Sequence, residues 1–289
     1  MTTNEDRSTA RLLWSLIEPV HAVSYFSQPC ADAMDEVGLK GFWMGYFAGR
    51  AAPLGACPAA VVAATFYNFA PARVRRAIPE AWQRATPTEV IEARSAAAAI
   101  ALRQWSRDAD EQTRRALPLL ESAAVAAKCD GRVLAAANQQ VAPPADPVAR
   151  LWQATTTLRE HRGDGHLAAL ITAELDGLEA HVLAVAVGRA DAEQLKKARG
   201  WNDEEWRTAV DRLRWRGLVD DDGVATDDGH LLTARIEDTT DDLAAQPYRD
   251  GLTATGLDLL RTVLRPLARA VTATNAIPFP NPIGLPAPR

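Results

Sequence analysis

Asn202-Asp203-Glu204-Glu205-Trp206-Arg207-Thr208-Ala209-Val210-Asp211-Arg212-Leu213-Arg214-Trp215-Arg216-Gly217-Leu218-Val219-Asp220-Asp221-Asp222-Gly223-Val224-Ala225-Thr226 is the stretch whose reading decides the fold. Asn202 followed three residues later by Glu205 is a capping box, so a helix starts there with Trp206, Ala209, Val210 and Leu213 facing inward. Gly217 ends it. Leu218 and Val219 then read as a short strand, Asp222-Gly223 as a hairpin turn and Val224-Ala225-Thr226 as the returning strand, before Asp227-Asp228-Gly229 opens another helix. With helical stretches over 165–187 and 191–199 upstream, this is the element order of a winged helix-turn-helix. The fold expected is mostly α: an N-terminal helical domain followed by a winged helix-turn-helix with a small β-hairpin wing.

Working outward, Glu160-His161-Arg162-Gly163-Asp164-Gly165-His166 is short, ionisable and flanked by apolar helix, with Leu151, Trp152, Ala154 and Leu158 before it and Leu167, Leu170, Ile171 and Leu175 after. It reads as a corner at which Gly163 ends one helix and Asp164 caps the next. That accounts for Gly163 and Asp164 but not for two histidines and an arginine beside them. Perturbed titratable groups gather at functional sites, so His161, Asp164 and His166 are candidate catalytic residues. A zinc site from these three has no recognised spacing, and no metal is assigned.

In the N-terminal half, Leu12, Leu13, Leu16, Ile17, Val20 and Val23 form a helical stripe that Pro19 kinks or divides. His21 lies on that stripe, either as a core histidine with one satisfied nitrogen or as a pocket wall. Pro29 and Gly38 frame a short second helix. In Gly41-Phe42-Trp43-Met44-Gly45-Tyr46-Phe47-Ala48-Gly49-Arg50 glycine recurs every fourth residue, leaving one bare helix face. Close approach of another helix explains such a face, and so does a ligand lying against the backbone. Tyr67 and Asn68 are polar groups in an aromatic setting and need partners if buried. Thr86-Pro87-Thr88-Glu89 is a capping box opening a helix over 87–105. The proline cluster at 142–147 marks a domain boundary. The domains expected are therefore 1–145, the N-terminal helices; 146–275, the winged helix with the central corner; and 276–289, a proline-rich strap.

The chain has 289 residues, 47% of them hydrophobic, which suffices for two packed domains without staples. Cys30, Cys57 and Cys129 are far apart and form no metal or disulfide pattern, which fits a reducing cytoplasm. The first eight residues lack the order of a signal peptide, and no apolar run approaches bilayer length. Phosphate-loop, dinucleotide and serine-hydrolase motifs are missing, so those chemistries have no support.

Residues 201–235, with Arg216-Gly217-Leu218-Val219 leading into the hairpin, resemble the winged helix of MarR-type regulators. Nearly the whole chain resembles an actinobacterial helix-turn-helix family of unknown function. The residues that carry this second resemblance are Gly41-Phe42-Trp43-Met44-Gly45-Tyr46-Phe47-Ala48-Gly49-Arg50-Ala51-Ala52-Pro53-Leu54-Gly55, Phe66-Tyr67-Asn68-Phe69, Arg159-Glu160-His161-Arg162-Gly163-Asp164-Gly165-His166 and Asn281-Pro282-Ile283-Gly284-Leu285-Pro286. It implies a fold but no chemistry.

Function is therefore expected from the residues: recognition of a small molecule in a pocket between the helical domain and the central corner. Arg50 and Arg162 would hold an anionic group, His161 and His166 would move protons, and Asp164 would orient one histidine. Trp43, Tyr46, Phe47, Tyr67, Asn68 and His21 would line the pocket. The alternative is a ligand-responsive regulator in which the same pocket controls a DNA-binding homodimer. Between Gly200 and Asp242 there are five arginines against thirteen acidic residues, and the chain carries a net charge of −5. An acidic wing repels phosphate, so DNA is expected not to be a partner, and nor is a membrane.

Overall fold

The computed structural model describes residues 2–279, 281 and 283–285. Its N-terminal half holds α1 (Asn4–Phe26), α2 (Gln28–Glu36), α3 (Gly41–Ala51), α4 (Ala59–Thr65), α5 (Pro71–Arg75), α6 (Glu80–Arg84), α7 (Pro87–Trp105), α8 (Ala109–Ala126) and α9 (Val133–Gln139). Then come α10 (Pro147–Thr172), α11 (Gly177–Ala186), α12 (Ala192–Arg199), α13 (Asp203–Trp215), α14 (Asp227–Gly251) and α15 (Ala254–Ala273). Helix starts follow local chemistry: Thr86, Asp176 and Asn202 close capping boxes, and Asp146 accepts the amide hydrogens of Val148 and Ala149. Each such cap stabilises its helix by about 1 kcal/mol.

Three larger apolar cores result among the described residues. The first gathers Leu13, Ile17, Leu102, Leu120, Trp152 and Leu264, so it draws on residues before and after the 142–147 loop. The second packs Phe47, Phe66, Phe69 and Ile78 among the N-terminal helices. The third joins Leu170, Leu183, Leu213 and Ile236. Salt bridges tie α1 to α14, Arg7 to Asp242 at 2.6 Å and Arg11 to Asp241 at 2.8 Å. At the C-terminus Ile277 and Leu285 are buried in the first core, while Pro280, Pro282 and Pro286 of the expected strap lie outside the described residues.

Two expectations are corrected. The first is the corner at 160–166, which does not exist: α10 runs through it without interruption for 26 residues. Gly163 and Gly165 are tolerated in mid-helix because neighbours hold the backbone. At Gly165 a Cβ would lie 2.6 Å from the Arg132 guanidinium and 3.2 Å from Leu243 of α14, so this glycine serves close approach. The chain turns later instead, at Glu174, whose φ of 54° is left-handed.

The second is the β-hairpin wing, and with it the winged-helix class. Among the described residues there is no strand, only an isolated bridge between Val219 and Ala225. The physical reason is the turn. The Asp220 carboxylate accepts from the amides of Asp222 and Val224, the Ala225 amide donates to the Ala186 carbonyl of α11, and Thr226 already caps α14. The peptide groups needed to lengthen a ladder are spent on the turn and the caps. The mostly-α expectation holds.

The α12–α13 pair joins at Gly200, φ 86°, and Arg212 anchors α13 to α11 through Glu179 at 2.7 Å and Asp176 at 2.6 Å. The unit sits hard against the N-terminal half: a Cβ on Gly177 would lie 2.0 Å from the Tyr67 carbonyl oxygen. Backbone cannot yield as a side-chain tip can. Gly177→Ala is therefore expected to cost about 1–3 kcal/mol by overpacking, read as a lower urea midpoint; an unchanged midpoint would mean that the packing here is slack.

Candidate functional site

Because α10 is buried on nearly every side, its polar residues must be satisfied inside the protein. Thr155, Thr156 and Thr157 bond back to carbonyls of their own helix. Glu160, with its side chain 2% exposed, is gripped by Arg50 at 2.9 Å and by Arg159 at 2.8 Å, and Arg159 also reaches Glu18 at 3.3 Å. Burial alone would raise the Glu160 carboxyl, but Arg159 and Arg50 outweigh it and hold it far below the usual range. Arg50 further donates to the Tyr46 hydroxyl at 3.1 Å and lies 4.3 Å over the Phe66 ring.

This charged cluster forms one wall of a cavity of about 630 Å³ between α1, α10, α14 and the α11–α12 segment. Six arginines line it (11, 50, 159, 162, 189 and 199) against the carboxylates of Glu18, Glu160, Asp164 and Glu237. Burial lifts the Asp164 carboxyl to about 6. His181 lines the same cavity, 7% exposed and with no hydrogen-bond partner on Nε2; burial pushes its imidazole down to about 3. The cavity thus holds a cation surplus and a neutral imidazole, a lining suited to an anionic guest.

The structure separates the expected catalytic residues. His161 Nε2 donates to the Lys128 carbonyl at 3.2 Å, on the α8–α9 side, and faces neither this cavity nor the smaller one beside α3. His166 Nδ1 donates to Thr240 on α14, since the Thr240 hydroxyl already donates to Ile236. Asp164 accepts from the Ala135 amide at 2.9 Å rather than orienting a histidine. Asp164 and His166 both line the large cavity whereas His161 does not, and each of the three is bonded to a different partner, so they converge on no common atom. Among the described residues no group of three or more His, Cys, Asp or Glu could hold a metal.

Of the expected binding residues, Arg50, Arg162, Tyr46 and Asn68 line the large cavity. Arg162 pairs with Asp241 at 3.1 Å and stacks 4.6 Å over Trp14. Trp43 and Phe47 belong instead to the second core, where Arg73 lies 4.5 Å over the Trp43 ring. Tyr67 donates its hydroxyl to the Leu175 carbonyl and packs on the third core. His21 lies apart from the large cavity, in the smaller one, with both nitrogens satisfied: Nδ1 donates to Thr156, whose own proton goes to Trp152, and Nε2 accepts from Tyr25 at 2.7 Å.

Sequence reasoning missed Glu18, Arg159, Arg199 and His181. Arg159 carried a signal, because it adjoins Glu160 within an apolar helical stretch where a second charge needs a partner. No sequence signal joins His181 to Arg50.

No helix among the described residues is by itself long and apolar enough to cross a membrane. Neither a curated protein nor a solved structure matches the chain. A family model described as a helix-turn-helix family does match, over residues 10–278, and this overturns the expectation that DNA is not a partner. The local charge count behind that expectation left out Arg73, because only the fold brings it to the α12–α13 turn: the Arg73 side chain lies against Gly200, and the Ala70 amide donates to the Arg199 carbonyl at 3.0 Å. With its match covering nearly the whole chain, this protein belongs to that helix-turn-helix family.

Proposed function

We propose that this protein is a DNA-binding regulator whose affinity for DNA responds to an anionic small molecule held in the large cavity. The observation that carries the reading is that the cavity wall runs onto the helix-turn-helix unit itself, through His181 of α11 and Leu195 and Arg199 of α12. A guest that draws on these side chains also bears on the turn at Gly200, one residue beyond Arg199. Differential interaction with an element of two arrangements is what a ligand switch requires. Phosphate is met by the exposed Arg75 and Arg76, at the end of the helix whose Arg73 lies against the Gly200 turn, and by exposed Lys197 on α12.

The test is fluorescence anisotropy with labelled genomic fragments across a salt series. Saturable binding at low salt is expected, with a slope that becomes shallower by about two in Arg75→Ala/Arg76→Ala, near one for each phosphate that is no longer neutralised. Both positions are exposed, so the fold is not at issue. No saturable binding to any fragment would sink the DNA half. For the ligand half, native mass spectrometry of freshly purified protein should find a retained anionic molecule whose addition shifts the DNA midpoint.

A further inference from the structure

The second cavity lies over the glycine face of α3. It measures about 150 Å³ and shares Tyr46, Arg50 and Glu160 with the large one. The packing explanation for these glycines holds only at Gly45, where a Cβ would come within 3.1 Å of Met34. At Gly41 and Gly49 a Cβ would meet nothing within 4 Å. The bare helix face therefore opens onto space, and that space is walled by Tyr25, Tyr46, Trp152 and His21, with His21 stacked on Trp152 at 6.1 Å. A 150 Å³ apolar cavity is the size that takes one benzene ring.

A second, independent feature lies in the same wall. Arg94 is 6% exposed, and its guanidinium is held by neutral oxygens only: the Gly49 carbonyl at 2.6 Å, Asn138 at 3.0 Å and Gln153 at 3.2 Å. Its Nε has no hydrogen-bond partner, and no carboxylate among the described residues forms an ion pair with it. Buried charges are ordinarily paired. The Glu160 carboxylate in the shared wall is already engaged by Arg50 and Arg159 and forms no ion pair with Arg94, whose guanidinium lies 5.3 Å over the Trp152 ring.

We infer that this slot is a binding site for a single-ring aromatic carboxylic acid, its ring against α3 at Gly49 and its carboxylate on Arg94, which already reaches the Gly49 carbonyl. The site is separate from the large cavity, since Gly49 and Arg94 line only the slot.

The test is calorimetric titration of the full chain with benzoate, using toluene as the uncharged probe of similar size. Wild-type protein should bind one benzoate, and toluene more weakly by about tenfold or more. Gly49→Leu places a side chain in the slot, its Cβ meeting no protein atom within 4 Å, so it should abolish benzoate binding while the melting temperature holds. Arg94→Met should bring benzoate affinity down to that of toluene. Several results would overturn the inference: no saturable benzoate binding by the wild type, benzoate binding that survives Gly49→Leu, or toluene binding as tightly as benzoate. If Arg94→Met fails to fold, Gly49→Leu and the toluene comparison still decide.

Discussion

Glu160→Gln is expected to destabilise the protein by about 3–5 kcal/mol, the usual cost of breaking a buried ion pair by removing one partner. In the native fold Glu160 neutralises two arginines at once, Arg50 and Arg159, and its side chain is 2% exposed. The amide keeps one accepting oxygen but returns no charge, and its NH2 group sets donors against donors, so two guanidiniums face each other across the head of the cavity. Urea denaturation of the variant should show a lower midpoint at unchanged slope. Arg50→Met placed on top of Glu160→Gln should recover part of the loss, because it removes the cation left without a carboxylate, Arg159 keeping Glu18. A loss under about 1 kcal/mol would mean that solvent in the cavity already shares the charge.

Acid should unfold this protein over a window set by its histidines. Burial holds His161 and His181 down near 3, and it holds His21 well below its ordinary value. In the unfolded chain these imidazoles take protons near 6.5; in the folded chain they stay neutral until far lower pH. Unfolding therefore takes up protons as pH falls below about 6.5, and stability, fully present above that value, is lost progressively toward about pH 3. His166, held near 4 by burial, adds to the uptake. Asp164 opposes it. Its carboxyl is raised to about 6, so between 3.8 and 6 the folded chain keeps a proton that the unfolded chain releases. About two to three protons remain in the balance, which corresponds to about 3–4 kcal/mol per pH unit. The urea midpoint at about pH 5 should fall far below that at about pH 7. Equal midpoints would mean that these imidazoles are not held neutral.

Local chemistry in the sequence determined where helices begin. The capping boxes at Thr86 and Asn202, Pro29 near the start of α2, and the left-handed glycines at 38 and 217 act within a turn of their own position, and the structure keeps them all. The mostly-α class followed from the same signals. Where local signals competed, the tertiary structure decided. Gly163-Asp164-Gly165 reads as a break in isolation, yet Arg132 and α14 press against that backbone and the helix continues. Asp222-Gly223 reads as a hairpin, but the Asp220 carboxylate and the carboxyl end of α11 take the amides that strands would pair.

The site lay furthest from what sequence can carry. Glu18, Arg50, Arg159 and Arg199 are scattered over most of the chain and meet only because α10 is buried on nearly all sides and must find its charge partners in other helices. The bare glycine face was legible as a face, but whether a helix or empty space lay against it depended on where α2 and α10 came to rest. The charge of the helix-turn-helix unit could not be summed along its own segment, since Arg73 reaches its turn through space. Caps and breaks depend on neighbours in sequence, whereas cavities and charge balance depend on neighbours in three dimensions, which packing alone selects.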